Sequence, residues 1–404
     1  MSEGYPVIEH LVMRARRECR AAWPLVTAGL LAVIWTPTLG RGFFADDFSK
    51  VLTTWSEFFV NPFGLNARPL EMLTFAALPR QAFVQHATSF VIYAVCIWLM
   101  WRLCRRMQLS QWSTFTALSS FFHPAFLWSV TWIAVRSDLL VIAFLLMAVL
   151  ATRTPVKLAM MALCSAAKVP YLFQNVVFSF QFARRGELLA SGTSLLLILI
   201  FGVPGYVLHY VTAHEATAQS ATLDNASIGL AIAVPLRLAK LLEGILYVFA
   251  PVPMFAAVSW GPIVALCAYG ALWYVVARSL RPSGAVSATN RWIPAMALTM
   301  CLPFVFASDV RVTGEATVLA FLAIASAAQW QLPGKIAIVG ILVLNLTGIM
   351  LNYGLSRSAQ YDVRAEEVDM NTSQPVYAYY GWREHVRQRI LTVLGVDLPE
   401  RTFN

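Results

Sequence analysis

Charge is scarce in this chain. Of its 404 residues 21 are acidic, and 13% are charged in all. Soluble domains carry roughly twice that fraction, so an ordinary water-facing surface is excluded. Cysteine is sparse as well. Cys19, Cys96, Cys104, Cys164, Cys267 and Cys301 fall in apolar segments or in loops on the side where basic residues gather. None lies in a loop of the other side, which argues against a disulfide framework. No Cys/His set has zinc-ligand spacing, and a Walker loop, a dinucleotide fingerprint and a nucleophile elbow are all missing. The chain has no internal repeat. What is present is apolar: 58% of residues are hydrophobic, with a mean hydropathy of +0.64. That composition predicts an all-α polytopic membrane protein. The net charge of +9 is no nucleic-acid footprint, because the basic residues occupy short loops between apolar spans.

The placement of positive charge predicts a topology. The Arg14-Arg16-Arg17-Arg20 run precedes an apolar segment with no small-residue cleavage site, so it reads as a retained signal anchor with the N-terminus cytoplasmic. Spans are expected near residues 22–40, 86–104, 112–132, 138–152, 156–169, 170–183, 188–210, 259–277, 292–308, 315–330 and 335–353. About eleven transmembrane helices result, and the positive-inside rule is obeyed at each turn. Arg102, Arg105, Arg106, Arg153, Lys157, Arg184, Arg185, Arg278, Arg281, Arg291 and Lys335 then share the cytoplasmic side. Segment 228–250 is long enough to cross, but a crossing would send Arg278 and Arg281 outward. It is therefore expected to be an interfacial or re-entrant helix pair broken near Pro235.

The opposite face collects the unusual residues. Asp46 and Asp47 stand side by side just beyond the first span, in a first outward loop of about 41–85 expected to carry juxtamembrane helices. Carboxylates at a membrane boundary are costly to desolvate and are kept there for chemistry, ion binding or pairing; the plainer reading is an acidic cap on a helix that starts at Phe48. The same face holds Arg68, Arg136, Asp138, Lys168 and Arg311. Cations that inside-anchoring does not need, gathered opposite an acidic pair, suggest an anionic ligand such as a phosphate. The plainer reading here is mutual neutralisation in structural ion pairs.

Residues 1–354 are expected to form the transmembrane domain and 355–404 a small extracytoplasmic segment, polar and charged, with a short amphipathic helix over Trp382–Val393. Asn225-Ala226-Ser227 and Asn371-Thr372-Ser373 are glycosylation sequons on the outward side, a pattern that also arises by chance. His86 opens a span. His123 precedes Pro124 inside one, where a helix kink is a simpler role than ligation.

Taken in order, these features resemble a family. After the first span come the Asp46-Asp47 pair, Arg68-Pro69-Leu70, His86 at a span start and His123-Pro124. The stretch Trp128-Ser129-Val130-Thr131-Trp132-Ile133-Ala134-Val135-Arg136-Ser137-Asp138-Leu139-Leu140 follows. The series resembles the GT-C superfamily of integral-membrane glycosyltransferases, and within it the protein O-mannosyltransferases with tetratricopeptide repeats and their bacterial relatives. In those a His-Pro is followed by a Trp and an Arg-Xaa-Asp-Xaa-Leu segment at the head of the next span. Ser165-Ala166-Ala167-Lys168 resembles their Ser-Lys-Glu segment, with the glutamate missing, and Arg311–Leu319 resembles a later Arg-containing span start. The resemblance covers residues 20–185 well, and the repeat domain is absent.

The resemblance implies transfer of a sugar from a polyprenyl-phosphate donor to an acceptor hydroxyl on a protein, lipid or polysaccharide. Phosphate is a good leaving group, so one carboxylate suffices as general base. By analogy Asp46 is the base, and Asp47 orients the acceptor, pairs with a cation or helps Asp46 hold a divalent ion such as magnesium or manganese. Arg68, Arg136, Lys168 and Arg311 are the candidates for the departing phosphate. Lys168 and Arg311 lead that set, because Arg136 can pair with Asp138. His86 and Asp138 are the substrate-binding candidates. A bacterial inner membrane with a periplasmic active site is the expected location. The rivals are a lipid-linked-sugar flippase or other transporter, an O-antigen polymerase or ligase, and a structural scaffold.

Overall fold

A computed structural model describes residues 34, 36, 39, 55–60, 68–79, 81–168, 172–217, 230–256, 258–282, 292–305 and 313–358. The body of the first expected span, Asp46, Asp47, Arg311, Pro170, both sequons and the tail from residue 359 lie outside these described residues.

The chain is mostly helical. Its α-helices are α1 (Trp55–Val60), α2 (Pro69–Ala77), α3 (Ala82–Arg106), α4 (Gln111–Ser119), α5 (Ala125–Thr131), α6 (Arg136–Leu150), α7 (Thr154–Ala167), α8 (Phe173–Ala183), α9 (Leu188–Thr217), α10 (Leu230–Phe249), α11 (Gly261–Ser279), α12 (Trp292–Cys301), α13 (Gly314–Ala327) and α14 (Leu332–Ser358). Two short strands, β1 (Leu280–Pro282) and β2 (Ala328–Trp330), pair antiparallel with Leu280 opposite Trp330.

Three described helices are long and apolar enough to cross a membrane by themselves: Ala82–Arg106, Gly261–Ser279 and the Leu332–Asn352 part of α14. A fourth span results if α5 and α6, bent by 108°, count together. Among the described residues, the spans expected over 156–169 and 315–330 are realised as the shorter apolar helices Thr154–Ala167 and Gly314–Ala327. Lipid-facing stripes mark the long helices. On α3, Val91, Val95 and Trp98 are exposed, and on α14 Leu332, Ile336, Val339 and Val343 repeat at helical spacing. The protein is a helical membrane protein.

Two expected elements are corrected. The span over 112–132 is not one helix: α4 passes through a 3-10 turn at Ser120–Phe122 and restarts as α5. Pro124 disfavours helical backbone at the residue before it, and His123 is extended with φ −66° and ψ 138°. Conversely, segment 230–249 is one helix with Pro235 inside it rather than a pair broken there. Pro235 is the sixth residue of this helix and lacks the N–H that would bond to the Ala231 carbonyl, a loss that membrane helices tolerate where neighbouring groups re-satisfy the freed carbonyl.

The end of α10 and the turn after it meet α11 at different levels. The Trp273 indole N–H donates to the Phe249 carbonyl at 2.8 Å, and Trp273 lies about 18 Å along α11 from Gly261 at 1.5 Å per residue. Phe255, by contrast, sits beside Gly261 itself. The chain thus runs from the level of Trp273 back to the start of α11 through the turn Val252–Phe255.

The two ends of the bundle differ in charge. At one end lie Arg102, Arg105 and Arg106 in the last turns of α3, Arg153 and Lys157 at the start of α7, and Arg184 and Arg185 after α8. The Lys335 ammonium stands 5.6 Å from the centre of the Trp112 ring, and the Arg184 guanidinium 5.8 Å from that of Trp292. The β1–β2 pair ties the ends of α11 and α13 together at this same end. The other end of α3, α6, α7 and α13 carries a different set.

Candidate functional site: a buried ionic cluster

Five separate segments deliver polar side chains to one buried place. Pro69 at the first position of α2 sets the helix start, with Arg68 preceding it and Glu71 in the first turn, where an acid suits the helix dipole. The start of α3 supplies Gln85, His86 and Ser89, all fully buried. Arg136, Ser137 and Asp138 open α6, Lys168 closes α7, and Thr313 and Glu315 open α13.

Within it runs a chain of contacts. An Arg68 guanidinium N–H points to Glu71 Oε2 at 3.4 Å and to Ser137 Oγ at 3.2 Å. The Ser137 backbone N–H donates to Glu71 Oε1 at 3.3 Å, so Glu71 caps the N-terminal turn of α6. Ser137 Oγ is 3.4 Å from Asp138 Oδ1. The same oxygen accepts from the Lys168 ammonium at 2.5 Å, and Lys168 stands 3.6 Å from Glu315 Oε1.

Arg136 anchors the cluster from the side. It is fully buried, and its guanidinium donates to Ser89 Oγ at 3.1 Å, Thr74 Oγ1 at 3.2 Å, the Gln85 carbonyl at 2.9 Å and Gln85 Oε1 at 2.7 Å. It also lies over the Phe75 ring at 4.9 Å. The expected pairing of Arg136 with Asp138 is replaced by these neutral acceptors, since Asp138 is engaged by Lys168. Among the described residues, the three cations Arg68, Arg136 and Lys168 stand against the three acids Glu71, Asp138 and Glu315.

The sequence-predicted residues thus separate. Arg68, Arg136, Asp138 and Lys168 come together here and His86 is buried next to Gln85 in the chain, while Asp46, Asp47 and Arg311 lie outside the described residues. Lys168, expected to face a phosphate, is buried between two carboxylates. Arg68 keeps 23% of its side chain exposed, against 5% for Lys168. The carboxylate oxygen Asp138 Oδ2 is buried with no hydrogen-bond partner among the described residues. Among the described residues no group of three His, Cys, Asp or Glu could hold a metal ion.

Sequence reading missed Glu71 and Glu315. A signal was available: Glu71 is the sole acid between Glu57 and Asp138, and Glu315 the sole acid between Asp309 and Asp362. An isolated carboxylate bordering an apolar run has few uses other than a buried partner. Arg237, Lys240 and Glu243 on α10 were missed too. They are half-buried, and Glu243 accepts from the Tyr247 hydroxyl at 2.5 Å. His123 is a pin between elements. The Ala125 N–H donates to its Nδ1 at 3.2 Å, so its Nε2 carries the proton and donates to the Tyr247 carbonyl at 3.0 Å.

No family model, curated protein or solved structure matches this chain.

Proposed function

We propose that this protein is a membrane glycosyltransferase that moves a sugar from a polyprenyl-phosphate donor to an acceptor hydroxyl on the extracytoplasmic face. The observation that carries the reading is convergence. Arg68, Arg136, Asp138 and Lys168, from three separate stretches of the sequence, meet in one buried ionic cluster at the end opposite the basic one. Ionised groups are expensive in an apolar bundle and are retained there for function.

In this reading the cluster is a fixed scaffold and Arg68, its most exposed cation, contacts the donor phosphate. The acceptor oxygen attacks the anomeric carbon, and the bond from that carbon to the phosphate oxygen breaks. The phosphate leaves with the electron pair, stabilised by fixed cations, and the acceptor proton passes to a carboxylate, assigned from the sequence to Asp46. Asp47 or a divalent cation would assist. The basic end would face the cytoplasm of a bacterial inner membrane.

A transporter of lipid-linked sugar is the second reading. The 108° bend between α5 and α6, with Arg136 and Asp138 just after it, favours it, since transporters build their sites at helix breaks. One experiment separates the two: purified protein in vesicles is given polyprenyl-phosphate donors radiolabelled in the sugar. Sugar transfer or donor hydrolysis supports the transferase. Movement of intact donor between leaflets without consumption supports the transporter.

A further inference from the structure

At the ionic cluster described cations lie beside described carboxylates, but in a groove at the opposite end of α3 they do not. There a groove of about 1110 Å³ opens between the last turns of α3 and the junction of α6 with α7. Arg102, Arg105 and Arg106 line it, and no acidic residue does. Arg102 lies 5.1 Å over the Trp98 ring and Arg105 5.4 Å over the Trp101 ring, each pair one helical turn apart. The Arg106 guanidinium donates to the Leu150 carbonyl at the end of α6, which fixes that arginine across the groove. Apart from Thr152 the rest of the lining is apolar, with Trp98 and Val156 exposed.

Loop cations that merely orient a chain need no walls. Here guanidinium groups are held on aromatic faces above an apolar trough, in a bundle whose long helices expose lipid-facing stripes. We propose that this groove binds an anionic glycerophospholipid of the adjacent leaflet. Its phosphate would sit between Arg102 and Arg105, and an acyl chain would lie along Trp98 and Val156. The inference rests on the membrane character of the protein and is independent of the transferase reading.

The test is lipid retention by the full chain in detergent, measured by native mass spectrometry with phosphatidylglycerol, phosphatidylcholine or inorganic phosphate added. The variants are R102Q/R105Q and, as a control at the same end but outside the groove, K335Q. All three substituted side chains leave the ionic cluster untouched. Wild type and K335Q should retain phosphatidylglycerol over phosphatidylcholine, and R102Q/R105Q should lose that lipid by about thirtyfold, equivalent to ~1 kcal/mol per arginine. Equal retention of the two lipids would overturn the proposal. An equal loss in K335Q would make the effect a general surface potential and overturn it too. Displacement of the lipid by millimolar phosphate would leave an ion site only, which also contradicts it.

Discussion

The Lys168 ammonium lies 2.5 Å from Asp138 Oδ1, joining the end of α7 to the first turn of α6. Both groups are buried, and Glu315 from α13 completes the set at 3.6 Å. Three helices therefore meet through one cation. K168M would leave two buried carboxylates facing each other and should cost about 3–5 kcal/mol. K168M/D138N removes one of those charges and should recover part of the loss. Thermal unfolding in detergent reads both, and a double variant no more stable than K168M would deny the coupling.

Arg68 and Arg136 should behave differently although both are arginines of one cluster. Arg136 donates to three residues of two helices from full burial, so R136A strands Ser89, Thr74 and Gln85 and should fail to fold stably. Arg68 is partly exposed. R68A should fold and weaken donor binding about tenfold or more, the cost of one charge-assisted contact to phosphate. Size-exclusion profiles and donor titration distinguish the two, and unchanged donor affinity in folded R68A would remove it from the phosphate site.

Gly244 permits α10 to dock. A methyl group there would come within 2.4 Å of the Phe304 ring, itself fully buried. G244A should destabilise by about 1–3 kcal/mol, and F304L should relieve part of that. The readout is again thermal unfolding, and a G244A protein as stable as wild type would place the helix elsewhere.

The topology proposed from charge placement has segment 228–250, and so α10, not crossing the membrane. A reporter fused after residue 404 should then report from the extracytoplasmic side, with the basic end inside. A cytoplasmic signal would mean that α10 crosses and that the later helices are inverted.

Much of the site was legible because charge is rare in this sequence. Arg68, Arg136, Asp138 and Lys168 each border an apolar run, and that position alone singles them out. Their partners were not legible. Whether Lys168 meets a phosphate or Glu315 depends on α13 packing beside α6, a contact between residues 147 positions apart that no local pattern encodes. Hydropathy found the apolar segments but not their lengths, since α7, α12 and α13 are too short to pass as full spans. The break at His123-Pro124 was legible as a kink because proline acts on its own neighbour. Pro235 misled because a proline inside a membrane helix breaks it only where surrounding groups fail to satisfy the freed backbone, which depends on tertiary neighbours.

The most direct measurement of the central claim is transfer from radiolabelled polyprenyl-phosphate sugars by purified wild type and D46N side by side, each first shown to elute as the same folded species. Wild type should consume donor, and D46N should lose at least about a hundredfold of that rate, the usual contribution of a general base. Wild-type activity that survives intact in D46N would contradict the assigned chemistry, and an inert wild type over the whole donor panel would contradict the transferase itself.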